Sequence, residues 1–329
     1  MHRCSFSLQS LKEKDSFAAN FDLMRKVQII GLFTCFLTTV YAQQEPMSTQ
    51  FRSTMLNSNP AIAGLDYLHE ANVLYRSQWV NVNGSPNTLF ANYAYRSRKL
   101  HGAVGFSYMY DVIGFNKEHK LLLHYAYHQP ITRALTVSGG VSVGMGFFKL
   151  DSPNWITSQS LNDPSLPGTS NDAAFHVNTG IVFKGRKWKL GASMTQINEP
   201  VYHLKNVDYY ALRHTFIFGE YRFKLSEKLF VIPAAKWYAV DKFYTFTGMT
   251  RVEIGNLWTG ISYSQHDLRN YIGGMIGYDF KGKYRIGYSY DYTTNALQNV
   301  SYGTHEVTMA FLMLNVKPNI HSIPGGIDF

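Results

Sequence analysis

The feature that most constrains this chain is a hydropathy period of two. Leu135, Val137, Gly139, Val141, Val143, Met145 and Phe147 take one parity, while Thr136, Ser138, Gly140, Ser142, Gly144 and Gly146 take the other. A helix would scatter such a pattern around its axis, whereas a strand sorts it onto two faces. The same alternation recurs at Gly102 to Asp111, Ala173 to Phe183 and Lys283 to Asp291. Each run is about ten residues, the length a tilted strand needs to cross a bilayer. Continued along the chain, the pattern predicts about fourteen strands, beginning near residues 71, 87, 102, 118, 134, 173, 187, 211, 228, 243, 257, 270, 283 and 304.

The larger face of these strands is apolar and aromatic, with 23 Tyr and 22 Phe in a chain whose mean hydropathy is only −0.18. That pairing fits strands that alternate lipid-facing and lumen-facing residues. Hydrocarbon supplies no hydrogen-bond partner, so an open sheet edge there costs several kcal/mol per group, and closure is the solution. The expected fold is all-β: a transmembrane antiparallel β-barrel of about 14 strands spanning residues 71–314. The connections support it by alternating short (96–100, 128–133, 184–187, 226–228, 255–256, 281–283) with longer (80–86, 112–118, 149–172, 198–210, 265–270, 293–303); only 240–242 breaks the rule. A soluble sandwich or lipocalin-like barrel is the competing all-β reading.

The N-terminus reads as an export signal. Arg25 and Lys26 precede an apolar run, Val27 to Thr39, and Val40-Tyr41-Ala42 offers small residues for cleavage before Gln43; translation starting at Met24 would give an ordinary n-region. The run is too short to span a bilayer, and Phe33-Thr34 before Cys35 argue against lipidation. The expected organisation is a signal peptide over 1–42, an irregular N-terminal segment over 43–70, the barrel, and a C-terminal tail over 315–329. Both cysteines, Cys4 and Cys35, fall in the removed segment, so the mature chain has no disulfide or thiol chemistry. The formal net charge of +9 would suggest nucleic acid in a cytosolic protein. Export and the clustering of Arg96, Arg98, Lys99, Lys184, Arg186, Lys187, Lys281 and Lys283 near short turns argue instead for residues flanking a bilayer.

No constellation points to catalysis, a cofactor or a metal. Gly140-Val141-Ser142-Val143-Gly144 spells a nucleophile elbow but lies inside a strand, without the strand-to-helix turn that exposes the serine. His119, His124 and His128 crowd one strand, but steps of about 6.5 Å along one face cannot share an ion unaided. His305-Glu306 lacks the second histidine of a zinc helix.

Four local patterns together resemble the PorP/SprF family of type IX secretion system outer-membrane proteins: Asn59-Pro60-Ala61-Ile62-Ala63-Gly64, Tyr75-Arg76-Ser77-Gln78-Trp79, Tyr288-Ser289-Tyr290-Asp291 and His305-Glu306. The resemblance implies a non-catalytic barrel in the outer membrane of a Gram-negative bacterium. Its implied partners are other secretion-system components and secreted or surface proteins with a C-terminal sorting domain, gliding adhesins among them. The tail after Asn315 does not follow the family pattern.

Parity gives these motif residues positions. Val73, Tyr75 and Trp79 share an outward parity and Arg76 and Gln78 an inward one, while Asp291 and Glu306 also face inward. Closure sets the first strand beside the last two, which predicts an internal network of Arg76, Asp291 and Glu306, since charges in a confined lumen need partners. The segment from Gln43 to Leu68 is expected to plug the periplasmic mouth. Trp155, with Pro153, Pro164 and Pro167, marks the longest loop as a protein-contact surface. The alternative functions are a diffusion porin and, further off, an outer-membrane lipid enzyme.

Overall fold

The computed structural model describes residues 45–151, 168–205, 207–266, 269–294 and 296–314. A helix α1 (Phe51–Ser58) and a 3-10 turn (Pro60–Ile62) come first. The strands are β1 (His69–Ser77), β2 (Asn87–Ser97), β3 (Gly102–Ile113), β4 (Asn116–Pro130), β5 (Thr136–Leu150), β6 (Ser170–Lys184) and β7 (Trp188–Thr195). After them come β8 (Val201–Leu204), β9 (Val207–Tyr210), β10 (His214–Tyr221), β11 (Phe223–Lys224) and β12 (Leu229–Val240). The last five are β13 (Phe243–Ile254), β14 (Leu257–His266), β15 (Arg269–Phe280), β16 (Tyr284–Thr293) and β17 (Thr304–Met313). β8 and β9 form a separate hairpin in the loop after β7, and β11 prolongs β10 along β12. The others are fourteen antiparallel staves closed by pairing of β1 with β17, and every stave begins within three residues of its expected start.

Alternation produces the barrel's two surfaces. Midway along the staves Leu123, Val141, Ile217, Ile261, Ile276 and Met309 point outward and are exposed, Ile261 by 69%. Toward the ends the exposed outward residues are tyrosines: Tyr93, Tyr95, Tyr125, Tyr127, Tyr278 and Tyr284 near one rim, and Tyr75, Tyr244, Tyr263 and Tyr292 near the other. An apolar band between aromatic girdles matches hydrocarbon between two headgroup layers. Among the described residues no helix is long and apolar enough to cross a membrane.

The connections alternate less strictly than expected. The link from β3 to β4 is the two-residue turn Gly114-Phe115, and β14 and β15 are separated by two residues, because the flanking strands run on into the expected loops. The rim with the longer loops therefore also carries tight turns at residues 114–115 and 241–242. Trp79 is a second correction. β1 ends at Ser77, and Trp79 has φ 51°, so strand parity does not reach Gln78 or Trp79. A third concerns Lys184, which turns inward to Asp66 at 3.0 Å and donates to the Leu65 carbonyl at 3.0 Å instead of flanking the bilayer.

Residues 45–68 run along the barrel interior. Glu45 lies by Lys120, Gln196 and Tyr238 toward the long-loop rim, and the Leu68 amide donates to Met313 at the opposite one. Between them α1 is buried on several sides. Phe51 and Met55 pack with Phe218, Met249, Trp258 and Met275, and Leu56 packs with Ala94, Ala103 and Ala126. The sequence pattern shows no helix here because a helix enclosed by strands has no polar stripe to alternate with an apolar one. At eight residues its stability comes from packing.

Candidate functional site

Arg76 and Glu306 are direct cross-strand partners on β1 and β17, and Ser289 of β16 faces Glu306 from its other side. Arg76 Nη1 donates to Glu306 Oε1 and, at 3.1 Å, to Asp291 Oδ2. The structure thus brings three of the candidate residues together at the seam where the chain's first and last staves meet. All three are buried, Glu306 completely.

The same carboxylates grip the chain's own N-terminal segment. Glu306 accepts from the Thr49 amide at 2.9 Å, the Gln50 amide at 3.0 Å, Ser48 Oγ at 3.0 Å and Ser289 Oγ at 3.0 Å. Thr49 Oγ1 lies 2.7 Å from both oxygens of Asp291. A buried carboxylate is tolerable when donors surround it, and here three of them come from residues 48–50. Sequence reasoning missed Ser48, Thr49 and Gln50: their partners lie over 240 positions away, and no local period marks them.

Asn59 and Pro60 form the second anchor. Asn59 Oδ1 accepts from the Ala61 amide at 2.9 Å and so caps the 3-10 turn, which Pro60 opens without wasting a donor. Asn59 Nδ2 donates to the carbonyls of Ala192 at 3.2 Å and Ile181 at 3.4 Å. The turn rests on two paired glycines, Gly140 of β5 and Gly180 of β6. A Cβ on Gly140 would stand 2.3 Å from the Ala61 backbone nitrogen, and one on Gly180 would stand 2.1 Å from Asn59 Oδ1.

A third anchor lies toward the short-turn rim, where Asp66 meets Lys189 at 2.5 Å and Lys184 at 3.0 Å. Burial by itself pushes the Asp66 carboxyl up, but the two ammonium groups outweigh it and hold it well below the usual carboxylate range. An unfolded aspartate titrates near 3.9. The contribution of Asp66 is therefore whole above that pH and is lost progressively as pH falls below it. Hydrogen exchange at residues 45–68 should accelerate when pH drops from 6 to 3, beyond the intrinsic change of the amides. Asp66→Asn should show faster exchange already at pH 6 and a weaker pH response; an unaltered pH response would contradict this anchor.

The remaining candidates lie apart from this system. His305 has outward parity, and its Nδ1 is 2.7 Å from Tyr288 Oη. The Gln78 amide donates to the Pro86 carbonyl at 2.9 Å, and the Trp79 amide to Thr304 Oγ1 at 3.3 Å, both at the long-loop rim. Trp155, the expected signal peptide and the expected C-terminal tail lie outside the described residues. His124 and His128 each pair with a separate serine, Ser107 at 2.7 Å and Ser138 at 2.9 Å. Ser142 accepts from Asn178 Nδ2 at 2.9 Å, and among the described residues no histidine is bonded to it.

The family model for "Type IX secretion system membrane protein PorP/SprF" matches residues 40–311. No curated protein matches the chain. Among solved structures it is similar to the Acinetobacter baumannii outer membrane protein Omp33, with TM-score 0.47 and 12% identity over 76% of this chain and 100% of that one. It is also similar to the Ralstonia pickettii toluene transporter TbuX, with TM-score 0.49 and 11% identity over 80% of this chain and 94% of that one. A closed fourteen-stave barrel with an apolar belt, matched over most of its length by that family model, is an outer-membrane protein of a Gram-negative bacterium, and the chain belongs to the PorP/SprF family of type IX secretion system membrane proteins.

Proposed function

We propose that this barrel is a non-catalytic accessory of type IX secretion, one that assists export or surface anchoring of partner proteins through its long-loop rim. In this reading the partners carry a C-terminal sorting domain, residues 1–42 are removed on export, and the long-loop rim faces outside. The observation that carries it is the interior: residues 45–68 run along it, anchored at the Glu306 cradle, the Gly140–Gly180 seat and Asp66. That filling favours a plug over a passage, and so favours loops over lumen as the contact surface. Val300 and Tyr302, exposed by 56% and 67%, offer apolar contact at that rim. The serine and histidines that invite a catalytic reading are each engaged in separate pairs.

The test is to delete the gene and assay surface delivery of a co-encoded secreted protein. Delivery should be lost, return with the intact gene, and return poorly when residues 296–302 are replaced by Gly and Ser in a barrel that still inserts. Normal delivery in the deletion strain would refute the proposal.

A further inference from the structure

Beneath α1 a cavity of about 70 Å³ opens among Arg52, Lys189, Arg251, Trp258 and Arg285. One water needs roughly 10–15 Å³ on that measure, so the space suits a small oxyanion or a single carboxylate group. Tyr67, Glu70 and Leu312 also line it, which puts its mouth at the short-turn rim. Its polar wall draws on α1, β7, β13, β14 and β16.

The wall is one-sided in its hydrogen-bonding needs. Arg285 is held by Asp279 through two bonds of 2.7 and 2.6 Å. Arg251 gives Nη2 to Glu253 at 2.6 Å, and Asp66 is taken by its lysines. Two donors of the lining residues, Arg251 Nε and Trp258 Nε1, are buried without a hydrogen-bond partner among the described residues. Arg52 Nη1 and Glu220 Oε2 also lack hydrogen-bond geometry, but they face each other at 3.2 Å as an ion pair. Arg251 and Trp258 are only 5% and 3% exposed. Among the described residues no acceptor on this lining is left over in the same way. The Arg251 and Arg285 guanidinium carbons stand 5.6 and 6.0 Å from the same Trp258 ring, so two like charges share a confined space. Each orphaned donor costs free energy that an acceptor would recover, and a ligand that only accepts and carries negative charge answers these donors and the four cations beside them, which outnumber the acidic Asp66 and Glu70 on the same lining.

We propose that this cavity is an anion site at the short-turn rim, taking a free oxyanion or the terminal carboxylate of a peptide on Arg251, Arg52 and Trp258. Titration calorimetry on the purified full-length barrel in detergent tests it, with three probes: inorganic phosphate, an acetylated Gly-Ser-Gly peptide with a free carboxylate, and the same peptide as its amide. Chloride at equal ionic strength is the reference. Saturable binding of phosphate, or of the acid peptide but not the amide, is expected, and the two patterns distinguish a free ion from a peptide terminus. Arg251→Gln should weaken binding at least tenfold. Should that variant not fold, Trp258→Phe keeps an aromatic side chain, removes one donor and should weaken it severalfold. Absence of binding by every probe, equal binding of acid and amide without any phosphate binding, or unchanged affinity in the variants would overturn the site.

Discussion

Replacing Arg76 with Met should lower the barrel's unfolding free energy by about 3–5 kcal/mol, the usual cost of stripping one partner from a buried ion pair. The variant would leave Glu306 and Asp291 facing each other without their cation, in a place water reaches poorly. Urea unfolding in lipid vesicles, followed by tryptophan fluorescence, reads the effect as a shifted midpoint at unchanged slope. Adding Glu306→Gln and Asp291→Asn should restore part of the loss, since a neutral hydrogen-bonded cluster carries no unpaired charge. Arg76→Lys should fall between, because a shorter side chain must carry its ammonium to the place from which Arg76 Nη1 reaches both acids. A variant as stable as the parent would mean that the seam charges are separately solvated.

The second large effect comes from Gly140→Val. Valine is at home in a strand, so stave pairing should survive. Its Cβ, however, would stand 2.3 Å from the Ala61 nitrogen and 2.6 Å from the Ala61 Cα. Those are backbone atoms, which no change of rotamer can move. Overpacking ordinarily costs about 1–3 kcal/mol, and here the cheapest relief is to lift residues 59–63 off the wall. Hydrogen exchange in residues 45–68 should rise roughly tenfold or more while the staves keep their protection, tenfold corresponding to about 1.4 kcal/mol of local opening within that range. Gly139→Val, one residue away with nothing within 4 Å of its Cβ position, is the control and should behave as the parent.

How much of this was legible depends on the range over which each signal acts. Side-chain parity is local, and it carries the staves: Leu135 to Phe147 alone announces β5, and the starts of all fourteen follow from repeating that reading. Neighbourhood after closure is also readable, because first and last strands must meet, and this is what brings Arg76 opposite Glu306. Parity fails where the strand stops, as at Trp79, whose left-handed backbone belongs to a turn. It also fails for α1, whose residues are covered by strands from several sides and so display no stripe. Gly140 and Gly180 can be read as small lumenal residues, but not the Asn59 turn that they make room for, since that contact spans 122 positions in the case of Asn59 and Ile181.

The proposed function requires an interior occupied by the chain's own residues 45–68 rather than an open channel. Single-channel recording in planar bilayers measures this directly, with the parent barrel beside Gly140→Val. The parent should insert with little or no steady conductance, and the glycine variant should show openings that the parent lacks. Large, stable, unselective steps from the parent, matched by the variant, would contradict it and favour a diffusion porin.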